Sequence, residues 1–288
     1  MDELWVRQKA RGFISTVEPP VTLGDLTPYL DAVNAKLRHE ELGQGESGYT
    51  ISKSNGRHIV TVNSAETPER QRFTICHELA HILLGLPSSH EEVPSWSFAK
   101  RDPNEVACDI FASELLMPWK LWLAHVPKDE PSLEVIEDLA RVFGTSFPAA
   151  ASRYASLSAR PCAFVTMERG AVRYVARSTS LRNANAWISP RSTIPVGSMA
   201  QRVRAKGLSA SASGDVAQDV WFDNWEKGRD LQEICRHFSR SDTTVSLLWF
   251  DEEELPEREF DRFGRATEEE DGLDELTGVL SWTKGGRR

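Results

Sequence analysis

The sequence predicts an α+β protein, mostly helical with a small sheet in its first half and richer in strand in its second. Three observations carry that prediction. Three short alternating runs come first, and two apolar helical patterns follow them before Pro118. Two further helical patterns flank "FGTS" between Ser132 and Ser158. Beyond "SARP" the texture shifts to strand-like runs broken by turns. A chain of 288 residues is long enough for two domains.

Taken in order, "PPVTLGDLTPYLDAV" reads as a loop leading into a short helix, with Thr22 as the expected cap. "AKLRHEEL", "SGYTISK" and "RHIVTVN" read as strands, separated by the turn signals "GQGES" and "SNG". "SAETPERQRFTICHELAHILLG" is a long helix closed by Gly85 and Pro87. "SSHEEVPSWSFAKRD" is a loop, and "PNEVACDIFASELLMP" is a helix started by Pro103 and stopped by Pro118. "CAFVTMERGAVRYVARS" is a hairpin turning at Arg169-Gly170, followed by a Ser/Ala-rich loop and a last strand, "TTVSLLWF". Residues 254–288 form an acidic tail whose composition predicts disorder or loose docking. The resulting domains are 1–158, 160–253 and the tail.

Composition narrows the function. Hydrophobic residues make up 40% and charged residues 27%, as in an ordinary soluble protein. No apolar run spans a bilayer, and "MDELWVRQKARGF" has no signal core, so the expected location is cytoplasmic, with no membrane partner. Cys76, Cys108, Cys162 and Cys235 are widely spaced, which argues against disulfides or a zinc knuckle. A net charge of −9 gives no overall footprint for nucleic acid.

The chemistry lies in "HELAH". On a helix, His77 and His81 stand one turn apart on one face, so both imidazoles can reach one ion. A hydrolytic zinc site takes three protein ligands and lowers the pKa of a water in the fourth position. Glu78, beside the first histidine, is placed to take that water's proton and pass it to the leaving amine. The opposing reading is a chance pattern, but chance matches fall on polar surfaces and this one is wrapped in Leu, Ile and Phe.

The best candidate for the third ligand is Glu105, which follows His81 by 24 residues at the start of a helix. Asp109, one turn on, would accept from the free ring nitrogen of a ligand histidine. Glu114 and His90 are the rivals. Left to itself, Glu105 would be a solvated acid at a helix N-terminus.

"RFTICHELAHILLG" with "NEVACDIFASELLMP" resembles the ImmA/IrrE family of zinc metallopeptidases, over residues 20 to 158. The resemblance implies a zincin-like domain, Zn2+ held by His77, His81 and Glu105, and Glu78 as catalytic base. It also implies a protein substrate, a helix-turn-helix repressor whose removal switches on stress or mobile-element genes. In the radiation-response members the C-terminal domain is GAF-like.

The function expected is therefore a gluzincin-like regulatory endopeptidase. The alternative is a transcription-associated protein- or DNA-binding module with a structural or vestigial metal site. Residues 132–158 scan as a helix-turn-helix, with Ser146 opening the second helix. That helix carries Arg153 as its single base, which favours packing over direct DNA binding. Lesser candidates are an edge strand at "RHIVTVN", with a simple core strand as the equal alternative, carbonyl polarisation by Arg72 against a solvated helix residue, and a redox switch at Cys76 and Cys108 against buried small hydrophobes.

Overall fold

In the computed structural model, residues 2–18, 23–43, 45–87, 102–128, 130–223, 225 and 229–255 are described. His90, the loop before Asp102, Thr22 and the tail from residue 256 lie outside them. The protein is α+β, with two sheets. Its contacts divide it into two compact units, residues 1–128 with 137–149, and residues 129–136 with 150–288.

The first unit begins with a helix that the sequence pattern did not reveal, α1 (Glu3–Thr16), capped by Asp2. A short helix α2 (Thr27–Ala32) follows. Its first position is preceded by Leu26, which gives no side-chain cap, while Asp25 accepts from the Thr27 N–H at 2.8 Å. The Asp25 side chain thus makes an Asx-type bond at the helix entry.

Strands β1 (Ala35–Glu40), β2 (Gly48–Ser52) and β3 (His58–Asn63) form a sheet in the order β1-β3-β2. β1 runs parallel to β3 and β2 antiparallel to it. "RHIVTVN" is therefore the centre of the sheet, a core strand and not an edge. Both of its sides are already hydrogen-bonded, and Val60 and Val62 are fully buried.

Helix α3 (Pro68–Leu84) crosses this sheet. Thr67 caps it, Pro68 opens it, and Gly85 closes it at φ 66°, a left-handed position that suits glycine. Thr74 to His81 are buried without interruption, so α3 is an interior helix with core on every side. α4 (Pro103–Leu116), started by Asp102 and Pro103, packs along it. The shared core includes Val6, Ala10, Val60, Leu79, Cys108 and Phe111.

α1 is held by charge as well as by packing. Glu114 of α4 is fully buried and accepts from Arg7 at 3.0 Å and from Arg11 at 3.1 Å. Removing one partner of a buried ion pair strands the other, at a cost of about 3–5 kcal/mol; the part-exposed arginines reduce that to roughly 2 kcal/mol. Glu114→Ala is expected to lower the melting temperature by several degrees, with α1 the first element to lose amide-exchange protection. Unchanged protection in α1 would contradict the clasp.

α5 (Trp119–His125), α6 (Leu133–Phe143) and α7 (Phe147–Leu157) follow, with Gly144 at φ 58° in the turn between α6 and α7. Arg153 is buried in α7, so the one base of the second helix is not presented to solvent.

In the second unit, β4 (Cys162–Glu168) and β5 (Ala171–Arg177) make the expected hairpin. Arg169 (φ 51°) and Gly170 (φ 80°) turn it. After α8 (Thr179–Asn183) and α9 (Met199–Arg204) the Ser/Ala-rich stretch is not a loop but a strand, β6 (Ala210–Ala217). α10 (Gln218–Trp221) then leads to β7 (Asp230–Phe238) and β8 (Thr243–Trp249). The sheet is antiparallel throughout, in the order β5-β4-β8-β7-β6. "DVWFDNW" supplies Trp221 and Phe222 to the core. Glu233, fully buried on β7, accepts from the Met199 and Ala200 N–H groups, the Trp221 indole and the Ser246 hydroxyl, all at 2.8–2.9 Å.

Candidate functional site

Two helices build the site. α3 supplies His77, Glu78 and His81 from its most buried stretch, and the first turns of α4 supply Glu105 and Asp109. Their packing brings the His77, His81 and Glu105 ligand atoms within 4.8 Å of one another. His77 Nε2 lies 3.1 Å from His81 Nε2 and 3.1 Å from Glu105 Oε2. His81 Nε2 lies 3.5 Å from Glu105 Oε1.

These separations can be tested against a metal. Zinc bonds of about 2.0–2.1 Å in a tetrahedron set neighbouring ligand atoms about 3.3 Å apart. The two 3.1 Å separations that His77 Nε2 makes, to His81 and to Glu105 Oε2, lie close to that value, while the 3.5 Å separation of His81 is to the other Glu105 oxygen. The chemistry of the set agrees, since two ring nitrogens and a carboxylate oxygen aimed at one another need a cation or a proton between them. The residues fit a divalent ion of zinc's type, and no other such group of three occurs among the described residues.

The second nitrogen of His77, Nδ1, faces Asp109 Oδ1 at 2.9 Å. A carboxylate there fixes the ring so that Nε2 points at the cluster. Burial by itself would lower the His77 pKa, but the bonds to Asp109 and Glu105 and the nearby charges outweigh it and push it up to about 9. Metal binding at His77 therefore competes with protonation of the ring.

Glu78 is fully buried, and the Thr50 hydroxyl on β2 donates to its Oε2 at 2.7 Å. Sequence reasoning did not find Thr50. Its only signal is a hydroxyl on the helix-facing side of a strand, and nothing in the local pattern links it to a helix 28 residues later.

The other candidates fall elsewhere. Glu114, the rival ligand, sits with Arg7 and Arg11. Arg72 is no carbonyl polariser in waiting, because it donates to the Gly144 carbonyl at 3.0 Å and the Gly24 carbonyl at 2.7 Å. Burial pushes the Cys76 thiol up to about 12 and the Cys108 thiol higher still, so neither is a ready thiolate.

Residues 31–154 match the family model Peptidase_M78, described as "IrrE N-terminal-like domain". Among curated proteins, the chain is 27% identical over 190 residues to a radiation response metalloprotease IrrE of Deinococcus deserti. That match takes in 62% of this chain and 66% of the relative. The protein of the same name from Deinococcus radiodurans is 31% identical over 86 residues, covering 29% of this chain and 26% of the relative. The chain thus spans less than two thirds of either relative. Among solved structures, a Mycobacterium tuberculosis transcriptional regulator shares the fold, with a TM-score of 0.55 at 13% identity over 93% of both chains.

Proposed function

Taking residues 31–154 as a metallopeptidase domain of the ImmA/IrrE family, we propose that the chain is a zinc-dependent regulatory endopeptidase, gluzincin-like in its ligands. The observation that carries the reading is the convergence of His77, His81 and Glu105 beside a buried Glu78. His77, His81 and Glu105 hold the ion, and Asp109 orients His77. A zinc ion held there supplies Lewis acidity, acidifying a water and polarising the scissile carbonyl. Glu78 takes the proton from the attacking water and delivers it to the leaving amine, which makes the carboxylate both general base and general acid.

The substrate is a protein, and the best-supported class is a helix-turn-helix repressor whose cleavage derepresses stress or mobile-element genes. The names of the two Deinococcus relatives support a stress setting. Residues 1–158 carry the active site, residues 160–253 act as a sensory or docking domain, and residues 254–288 are an accessory tail. The proposed setting is cytoplasmic. Among the described residues no helix is long and apolar enough to cross a membrane.

The test uses the zinc-loaded full chain and the helix-turn-helix repressor encoded nearest to it. Incubation is expected to give two repressor fragments by mass spectrometry, and none after chelation. Intact repressor, together with relief of repression by the metal-free chain, would replace this reading with the binding-module one.

A further inference from the structure

We infer that Thr50 is a positioning residue for Glu78, delivered to the active site by strand β2. The inference rests on the metallopeptidase reading above. A fully buried carboxyl group needs hydrogen-bond donors, and one of them comes from another element altogether. The Thr50 hydroxyl meets Glu78 Oε2 at 2.7 Å, the length of a charge-assisted O–H···O bond. Threonine is branched at Cβ, so its side chain has few rotamers in a strand and its hydroxyl direction follows the backbone.

The backbone is itself tightly fixed. Thr50 pairs with Val60, and Gly48 with Val62, on the buried central strand. At Gly48 a Cβ would lie 2.6 Å from the Thr61 carbonyl oxygen and 2.6 Å from the Thr74 methyl of α3. Only glycine lets β2 approach the helix closely enough for a side chain as short as threonine's to reach Glu78. The Thr50 bond to Oε2 holds the carboxylate in one orientation. Thr50 thereby positions Glu78 for the chemical step.

A purely structural role would satisfy the buried carboxylate and do nothing more, so the test needs a readout that such a role leaves still. Full-length parent, Thr50→Val and Thr50→Ser chains are loaded with cobalt(II), and kcat and KM for cleavage of the helix-turn-helix repressor encoded nearest to the chain are measured separately. A base held out of line slows the chemical step and leaves binding alone, so Thr50→Val is expected to lower kcat by about tenfold or more with KM and cobalt content unchanged. Thr50→Ser restores the parental kcat. In a Glu78→Gln background the valine substitution is expected to lower kcat no further.

Equal kcat in the parent and Thr50→Val would overturn the inference. So would a Thr50→Val chain that no longer folds or binds cobalt while Thr50→Ser does, because the hydroxyl would then be structural. A parent chain that binds no cobalt or leaves the repressor intact would overturn the metallopeptidase reading itself, and this inference with it.

Discussion

Glu78→Gln is expected to leave the protein folded and metal-loaded while cleavage of its protein substrate falls by about 10²–10⁴-fold, the usual worth of a general base. The reasons are local. Glutamine has the size of glutamate, so the interior of α3 is not reopened. Its amide oxygen still accepts from Thr50, which keeps the side chain in place. The ligand set of His77, His81 and Glu105 does not include it. The substitution therefore removes one property, the ability to take a proton. Cleavage rate, metal content by elemental analysis and the melting temperature should be measured on the same preparation. A parental cleavage rate would show that Glu78 is not the base. Loss of metal together with activity would show that it belongs to the ligand set.

The second large effect is on the metal. His81→Ala is expected to reduce bound zinc from one per chain to near none. His81 is 2% exposed, and its Nε2 is one corner of the three-atom cluster. A site with two remaining ligands loses both a bond and the geometry that selects the ion. Asp109→Ala makes the graded comparison, because it removes only the partner that orients His77. Outer partners of this kind are worth about 10–100-fold in affinity, so Asp109→Ala should still bind zinc, but more weakly. Equilibrium dialysis against a competing chelator separates the two outcomes. Full zinc content in His81→Ala would remove His81 from the ligand set, and equal loss in both variants would give Asp109 a larger role.

Much of this arrangement was legible before any coordinates, for identifiable reasons. α3 and α4 announce themselves through strong local signals: Pro68 and Gly85 at the ends of one, Pro103 and Pro118 around the other. H-E-x-x-H is a short-range pattern, so one helical turn is enough to read it. What escaped depended on partners distant in the chain or on weak propensities. In α1, Arg7 and Arg11 look like solvated residues until Glu114 is known to be waiting for them. In β6, "ASASGDVA" has the alternation of a strand but not its usual side chains. In β7 the inward positions are Leu231, Glu233, Cys235 and His237, so an acid and a histidine disguise the buried face. The central place of β3 needed the register of both neighbours, which no single run displays.

The clasp between α1 and Glu114 has a consequence for the order in which the protein comes into being. A 14-residue helix with a weak apolar stripe is marginal in water by itself. Its anchoring carboxylate lies 107 residues downstream of Arg7. At a synthesis rate of about 5–20 residues per second, the nascent chain carries that segment unsecured for roughly 5–20 seconds. Glu105 emerges only just before Glu114, so the last metal ligand and the anchor of the first helix reach the growing polypeptide almost together. Helix α1 therefore docks late on the ribosome, at the moment the metal-binding helices can first pair.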